Sequence, residues 1–262
     1  MKLQKIFVSL RDMIGIFDSG IGGLSVFREI KKLLPEERYI YFSDNAHCPY
    51  GEKSKDYIID RARKITEFML EQGADIIVVA CNTATAAAIK TLRAEYPVSF
   101  IGMEPAVKPA AAITKTGVVG VLATAGTLKA DKYKDTKGRH AEDVLVVEHI
   151  GQGFVELVES GETDGPKAEA TVMESLEPLL DAGADTIVLG CTHYPFLADT
   201  ISKVAASLTP SREISIIDPA PAVARRLHEV MSEEQIIKRE GFSLSLHASG
   251  DSSLLRSMAE KL

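Results

Sequence analysis

The sequence has no basic cluster, no long apolar run and few cysteines, and each shortage argues against a class of protein. Acidic residues outnumber basic ones by 37 to 30, and the formal net charge is −7. A surface that binds nucleic acid needs a basic excess, and no stretch approaches the ~18 apolar residues of a membrane span. We therefore expect neither a nucleic-acid partner nor a membrane partner.

The N-terminus and the cysteine count favour a cytoplasmic chain. The apolar run at residues 6–10 is shorter than the roughly 7–15 residues of a signal-peptide core, and Arg11 and Asp12 end it. The three cysteines are an odd number, so a disulfide framework is not expected and the thiols are left for packing or chemistry. We interpret residues 1–12 as an N-terminal extension with no readable function.

Short apolar runs alternate with helical patterns from one end of the sequence to the other. Strands are predicted at residues 14–17, 38–43, 76–80, 100–102, 118–122, 144–147, 186–189, 214–217 and 242–246. Helices are predicted between most of them, and Gly73 stands where the C-cap of one helix is expected. This alternation is typical of an α/β fold with mainly parallel sheets covered by helices on both faces.

An internal repeat indicates two similar halves. Residues 73–83 (GADIIVVACNT) recur as residues 183–193 (GADTIVLGCTH), with six of eleven positions identical at an offset of 110. A weaker similarity, at an offset of 105, relates residues 14–19 to residues 119–124. The repeat therefore predicts two similar α/β halves, each of which ends a strand in a cysteine.

The mirrored cysteines, Cys81 and Cys191, suggest proton transfer on two faces of one carbon. Ligands of open α/β sheets bind beyond the carboxyl ends of the strands, where both thiols are predicted to lie, each before a helix. A helix N-terminus favours the thiolate, so we expect a lowered thiol pKa. A pseudo-twofold relation would place the sulfurs on opposite sides of a cleft, as a racemase requires. The alternative, cysteine as a small buried hydrophobe, does not explain the matching register.

Polar residues beside the thiols offer acid/base partners and substrate contacts. Asp18 follows the first strand and His193 comes two residues after Cys191, so each thiol has a neighbour that could tune it. These motifs contain no Lys or Arg, and helix N-termini bind carboxylates without cationic side chains. A turn at Tyr50 and Gly51 would cover the site. The candidate substrate-binding side chains are Ser19, Asn82, Thr83, Thr124, Thr127 and Thr192. Cys48 has no counterpart in the other half and is interpreted as structural.

Together these motifs resemble those of the glutamate racemases, from about Met13 to the C-terminus. The resemblance is carried by residues 18–23 (DSGIGG), 49–51 (PYG), 80–84 (ACNTA), 126–127 (GT), 190–195 (GCTHYP) and 249–251 (SGD). It implies a racemase that interconverts L- and D-glutamate without PLP or metal and supplies D-glutamate for peptidoglycan. It also implies two flavodoxin-like domains with the active site in the cleft between them. The implied bounds are residues 13–105 with 215–262, and residues 106–214.

The resemblance also implies residue roles. By analogy, Cys81 assisted by Asp18 serves the D-enantiomer, and Cys191 assisted by His193 serves the L-enantiomer. Substrate contacts would come from Ser19, Tyr50, Gly51, Asn82, Thr83, Thr127 and Thr192. Asp44 and an acid in residues 154–159 resemble auxiliary acids, and the Leu-Val-Glu context favours Glu159 over Glu156. Two stretches depart from the family pattern, residues 130–132 (ADK) and residues 149–153 (HIGQG). The oligomeric state, a homodimer included, is left open.

Three alternatives also remain open. The first is an aspartate racemase of similar architecture, because sequence does not show pocket depth. The second is a dinucleotide-binding oxidoreductase, suggested by Gly20 and Gly22 after a strand and by Asp44 near a ribose-binding position. Against it, Ser25 stands where a third Gly or Ala belongs, and Asp18 would lie beside the pyrophosphate. The third is a non-catalytic amino-acid-binding module.

Overall fold

The computed structural model describes residues 13–140, 143–236 and 241–262, and the expectation on residues 1–12 lies outside them. The nine strands of the described chain are β1 (Met13–Asp18), β2 (Arg38–Ser43), β3 (Ala74–Val79), β4 (Ser99–Gly102), β5 (Val118–Ala123), β6 (Leu145–Ile150), β7 (Thr186–Gly190), β8 (Ser215–Ile217) and β9 (Ser243–Ala248). Each predicted strand overlaps one of these strands.

Helices connect most of these strands. They are α1 (Leu24–Leu33), α2 (Lys55–Glu71), α3 (Asn82–Glu95), α4 (Val107–Ile113), α5 (Ala125–Lys129), α6 (Asp131–His140), α7 (Phe154–Ser160), α8 (Gly165–Asp181), α9 (Ala198–Leu208), α10 (Ala220–Glu233) and α11 (Ser253–Ala259). Short 3-10 turns lie at Asn45–His47, Tyr50–Glu52 and Tyr194–Leu197. In the described residues, no helix combines the length and the apolar character that a membrane crossing needs.

The strands form two sheets in which every described pair is parallel. The first sheet has the order β4-β3-β1-β2-β9 and the second the order β6-β5-β7-β8. Strands β5 to β8 therefore repeat the arrangement of β1 to β4. The register repeats as well, because Phe17 pairs with Val79 and Leu122 pairs with Leu189. These pairs lie at the two offsets read from the sequence, so the prediction of an α/β fold with two similar parallel sheets is confirmed.

Alternate residues of the central strands pack on opposite faces of the first sheet. Ile76 and Val78 belong to the core that includes α1 and α10, whereas Ile77 and Val79 belong to the core that includes α2 and α3. All four side chains are fully buried. A strand that is covered on both faces needs an unbroken apolar run, which is why residues 74–79 lack the alternation of a half-exposed strand.

The glycine that opens each copy of the repeat has a backbone conformation that other residues adopt with difficulty. Gly73 follows α2 with a φ of +95°, and Gly183 follows α8 with a φ of +97°. A positive φ just past a helix lets the chain reverse into the next strand, and glycine adopts it without a steric penalty. The predicted helix end at Gly73 is confirmed, and the repeat preserves this turn together with the strand.

The sheet pairing moves one predicted boundary. The returning C-terminal segment was expected to begin at residue 215, but β8 pairs with β7 and belongs to the second sheet. β9 pairs with β2 at the edge of the first sheet. The pairing of β8 favours a boundary three residues later than the predicted one. We propose that the chain returns to the first half after Ile217.

Two glycines of the second half, one with a positive φ and one inside a helix, provide a test of stability. Gly183→Ala should lower the free energy of unfolding by about 1 kcal/mol, because alanine is strained at positive φ. An added Cβ there meets nothing closer than 3.6 Å, so no steric clash contributes. Gly138→Ala is the matched control, since Gly138 lies inside α6 with open space around it and alanine should raise stability by about 0.5–1 kcal/mol. Denaturant unfolding measures both, and equal effects of the same sign would contradict the account.

Candidate active site

The two mirrored cysteines line a single cavity between the sheets. Cys81 lies two residues after β3 and Cys191 directly follows β7, and both are buried, with 5% and 7% of their surface exposed. The other predicted site residues that line the cavity are Ser19, Tyr50, Gly51, Asn82, Thr83, Thr124, Thr192 and His193. Its free volume of about 10 Å³ is roughly the room for one water molecule. These predicted site residues are thus brought together in a closed arrangement, whereas Asp18, Asp44, Thr127 and Glu159 do not line the cavity.

Cys81 caps the N-terminus of α3. Its sulfur accepts a hydrogen bond from the backbone N–H of Ala84 at 3.4 Å, and its thiol donates to Ser19 Oγ at 3.7 Å. The expectation of a lowered pKa is wrong for this thiol. Burial, followed by the negative charge of Asp18, raises the pKa of Cys81 well above its usual value, and the Ala84 N–H opposes them only in part. Cys81 is therefore a neutral thiol in this closed state.

Asp18 lies beneath the cavity and joins the two halves. Its carboxylate accepts hydrogen bonds from the backbone N–H of Gly23 at 2.8 Å and from Thr192 Oγ1 at 3.3 Å. The side chain is fully buried. Burial raises its pKa, while the positive charge of His193 and the Gly23 hydrogen bond act in the opposite direction. A carboxyl group whose pKa is raised in this way is suited to exchange a proton with the neighbouring Cys81.

His193 lies between Cys191 and Glu159. Its Nδ1 is 3.7 Å from Cys191 Sγ, and its Nε2 is 2.7 Å from Glu159 Oε1. Burial disfavours the charged imidazole, but contacts with Cys191, Cys48 and Glu159 outweigh it and raise the pKa of His193 well above 6.5. Although burial acts against ionisation of Glu159, the His193 contact holds the pKa of this carboxyl below its usual value. The pair is therefore an imidazolium and a carboxylate.

Glu159, rather than Glu156, makes the carboxylate contact with His193. Glu159 also accepts a hydrogen bond from the backbone N–H of Ile21 at 2.8 Å, which ties α7 to the first half. The unusual residues 149–153 end at Gly153, whose φ of +78° precedes α7. That departure from the family pattern leaves Glu159 in reach of the imidazole.

The glycines after β1 leave room for the side chains of His193 and Glu159 to pack against the first half. A Cβ on Gly20 would lie 1.9 Å from Glu159 Oε1, and a Cβ on Gly22 would lie 2.4 Å from His193 Nδ1. No larger residue fits at either position without displacing these side chains. The spacing that suggested a dinucleotide site is explained by the close approach of an imidazole and a carboxylate.

Three threonines form a closed hydrogen-bonded triangle, and two of them, Thr83 and Thr124, line the cavity. Thr83 Oγ1 lies 2.9 Å from Thr124 Oγ1 and 3.3 Å from Thr127 Oγ1, and the latter two are 3.0 Å apart. Asn82 differs from them. Its amide nitrogen and oxygen are both buried, and neither has a hydrogen-bond partner among the described residues. Buried amides are normally satisfied, so the amide of Asn82 is available to a ligand.

Asp44 is not placed against either thiol. Its carboxylate accepts two hydrogen bonds from Arg61, at 2.6 and 2.9 Å, and one from Tyr50 Oη at 2.5 Å. Although burial acts in the other direction, these donors hold the pKa of Asp44 below its usual value. In this arrangement Asp44 contacts the cavity lining through Tyr50, and its role as an auxiliary acid stays a prediction.

Arg61 and Cys48 are the contacts that sequence reasoning missed. Arg61 lies on α2 and donates two hydrogen bonds to Asp44. A buried carboxylate such as Asp44 needs a cationic or hydrogen-bonding partner, but the sequence does not show which residue provides it. Cys48, interpreted as structural, lies with its thiol 3.9 Å from Glu159 Oε1. Nothing in its local sequence points to residue 159, because 111 positions separate them.

The chain is similar to known proteins in both sequence and fold. A family model described as Asp/Glu/hydantoin racemase matches residues 14–227. The chain is 51% identical over 225 residues to a glutamate racemase of Pseudomonas aeruginosa, covering 86% of this chain and 83% of the relative. Its fold is similar to that of a glutamate racemase isoform from Bacillus anthracis, with a TM-score of 0.85, 31% identity and coverage of 96% and 94%. The Escherichia coli glutamate racemase in complex with L-glutamate and the activator UDP-MurNAc-ala matches with a TM-score of 0.83, 32% identity and coverage of 96% and 95%.

Substitution at Gly22 tests whether the glycines hold the imidazole in place. Gly22→Ala should push the His193 ring away from Cys191 and Glu159, so the pKa of His193 should fall toward its ordinary value of about 6.5. An NMR titration of the His193 ring protons measures this shift. Gly138→Ala, at an exposed helical glycine, is the control and should leave the titration unchanged. A Gly22→Ala protein that titrates like the wild type would contradict the account.

Proposed function

The chain belongs to the Asp/Glu/hydantoin racemase family, and we propose that it interconverts L- and D-glutamate by moving the α-proton between Cys81 and Cys191. That it is a racemase follows from its relatives. The observation that carries the proposed mechanism is that two cysteines from equivalent strand ends line one cavity. Relatives named glutamate racemases are identical to this chain at about half of the aligned positions, and this similarity favours glutamate over aspartate as the substrate.

The chemistry needs one thiolate and one thiol on opposite faces of the α-carbon. The thiolate removes the α-proton and becomes a thiol, while the opposite thiol gives its proton to the other face and becomes a thiolate. The carbon is inverted, and the next turnover in the same direction requires the two sulfurs to exchange protons with their surroundings. Because the pair supplies both acid and base, we propose that the reaction needs neither PLP nor a metal ion.

Asp18 and His193 would supply and accept those protons. We assign Cys81 with Asp18 to the D-enantiomer and Cys191 with His193 to the L-enantiomer. The substrate brings an ammonium group into the cavity, and a nearby cation favours the thiolate. This charge would offset the burial that keeps Cys81 neutral in the closed state.

The substrate carboxylates would be held without a Lys or Arg side chain. Asn82 offers a buried amide with no partner among the described residues, and the N-terminus of α3 offers backbone N–H groups. The threonine triangle and Thr192 add hydroxyl groups. Glutamate is far larger than the closed cavity, so we propose that the two halves separate to admit it and then close.

The proposal extends to the biological role. D-glutamate made in the cytoplasm would supply peptidoglycan synthesis. Circular dichroism of L-glutamate with purified protein, without added cofactor, tests the activity directly. The signal should decay to zero, and a stable signal would contradict the proposed function.

Single substitutions of the two cysteines test the division of labour. Cys81→Ala and Cys191→Ala should each lower racemisation by about 10³-fold or more in both directions, because each direction needs one residue as base and the other as acid. In deuterated water, residual α-proton exchange should favour L-glutamate in Cys81→Ala and D-glutamate in Cys191→Ala.

Cys48→Ser is the matched control for these variants, since it removes a thiol that does not line the catalytic cavity and keeps a hydroxyl donor near Glu159. It should retain near-wild-type racemisation. A near-wild-type rate in both directions for either alanine variant would show that the two-cysteine mechanism is wrong.

A further inference from the structure

A sulfur, a nitrogen and an oxygen converge on the side of His193 that faces away from Cys191. Cys48 Sγ, a carboxylate oxygen of Glu159 and a ring nitrogen of His193 all lie within 4.8 Å of one another. We propose that these three residues form an inhibitory binding site for a thiophilic divalent cation such as Zn²⁺. The site is separate from the two thiols of the proposed reaction.

The donor set and its spacing suit zinc. Thiolate, imidazole and carboxylate are the usual zinc ligands, at about 2.0–2.3 Å from the metal, and tetrahedral geometry puts neighbouring donor atoms roughly 3–4 Å apart. Here Glu159 Oε1 lies 3.9 Å from Cys48 Sγ and 2.7 Å from His193 Nε2. Small side-chain movements would give three ligands, with water as the fourth.

Two of the three proposed ligands are partly exposed to solvent, and neither of these two lines the catalytic cavity. Cys48 is partly exposed and the Glu159 side chain is 23% exposed, whereas the His193 side chain is 2% exposed. His193 lines the catalytic cavity, but Cys48 and Glu159 do not belong to its lining. Because Nδ1 faces Cys191 and Nε2 faces Glu159, an ion on Nε2 would leave the space for substrate unobstructed.

Binding exchanges protons for the ion without a change of net charge. The Cys48 thiol loses its S–H proton and the His193 imidazolium loses its Nε2 proton, and both protons pass to water or buffer. Bonds from the metal to Sγ, Nε2 and Oε1 form, and no group is oxidised or reduced. Two positive charges leave and two arrive, so the exchange adds no net charge to a buried cluster, where an uncompensated charge would be costly.

The bound ion would stop His193 from assisting Cys191. The imidazole would lose its hydrogen bond to Glu159. With the metal on Nε2, the Nδ1 that faces Cys191 could give up its proton only by forming a metal-bound imidazolate, which is unfavourable near neutral pH. The expected inhibition lowers kcat with little change in KM. This inhibition rests on the proposed racemase function, whereas metal binding itself does not.

Calorimetry with the full-length protein and ZnCl₂ tests the binding. One ion should bind per chain, and titrations in buffers of different ionisation enthalpy should report about two protons released per ion at neutral pH. Cys48→Ser should weaken the affinity by at least about tenfold, while Cys81→Ser should leave it unchanged. If Cys81→Ser abolishes binding and Cys48→Ser does not, the ion binds the catalytic thiols and the proposed site is wrong.

A cobalt titration and a rate measurement complete the test. Co²⁺ should give a thiolate-to-metal absorption band in the wild type and in Cys81→Ser, but not in Cys48→Ser. Zn²⁺ should lower the kcat of the wild type, reversibly on addition of EDTA, and should have at least about tenfold less effect on Cys48→Ser. Metal binding without loss of kcat would overturn the inhibitory role. Failure of the racemase assay alone would leave the binding result intact.

Discussion

A seam of buried polar contacts between the two halves is the constraint on which the site depends. Thr192 donates to Asp18, Ser25 donates to the Thr192 carbonyl, and the Ile21 N–H donates to Glu159. Each of these bonds crosses from the first half to the second beside the catalytic cavity. A buried polar group that loses its partner costs about 1–3 kcal/mol, so the seam strongly favours one relative placement of the two sheets. That placement makes both thiols line the same cavity.

The scaffold is nearly symmetric, but the chemistry placed on it is not. Cys81 and Cys191 occupy equivalent positions, whereas the residues two positions later, Thr83 and His193, differ. Cys81 has an uncharged neighbourhood apart from buried Asp18, and Cys191 has a charged imidazole held by Glu159. Two enantiomers present the same groups in mirrored order, so a symmetric fold with different proton-transfer partners is a physically sensible solution. The relative rates of the two directions would then depend on those partners.

Local patterns in the sequence were sufficient to predict the two sheets, the repeat and the cysteine pair. They were sufficient because strand periodicity and the Gly73 turn are properties of neighbouring residues. The raised pKa of Cys81 could not be read from its helix position, since burial between the two halves outweighs the α3 N-terminus. The contact between Asp44 and Arg61 was missed for a similar reason, because Arg61 lies on a different element. Contacts between distant segments decide what each group in the site does, and sequence shows only which groups are present.

The central claim is that two opposed sulfurs, and not a single base, invert the α-carbon. The most direct test is the initial reaction of L-glutamate in deuterated water, followed by mass spectrometry of each enantiomer at low conversion. Two opposed sulfurs predict that the D-glutamate formed carries deuterium at the α-carbon, while the remaining L-glutamate keeps its original hydrogen. D-glutamate that retains the substrate's own α-hydrogen would show that one group both removes and returns the proton, and would contradict the account.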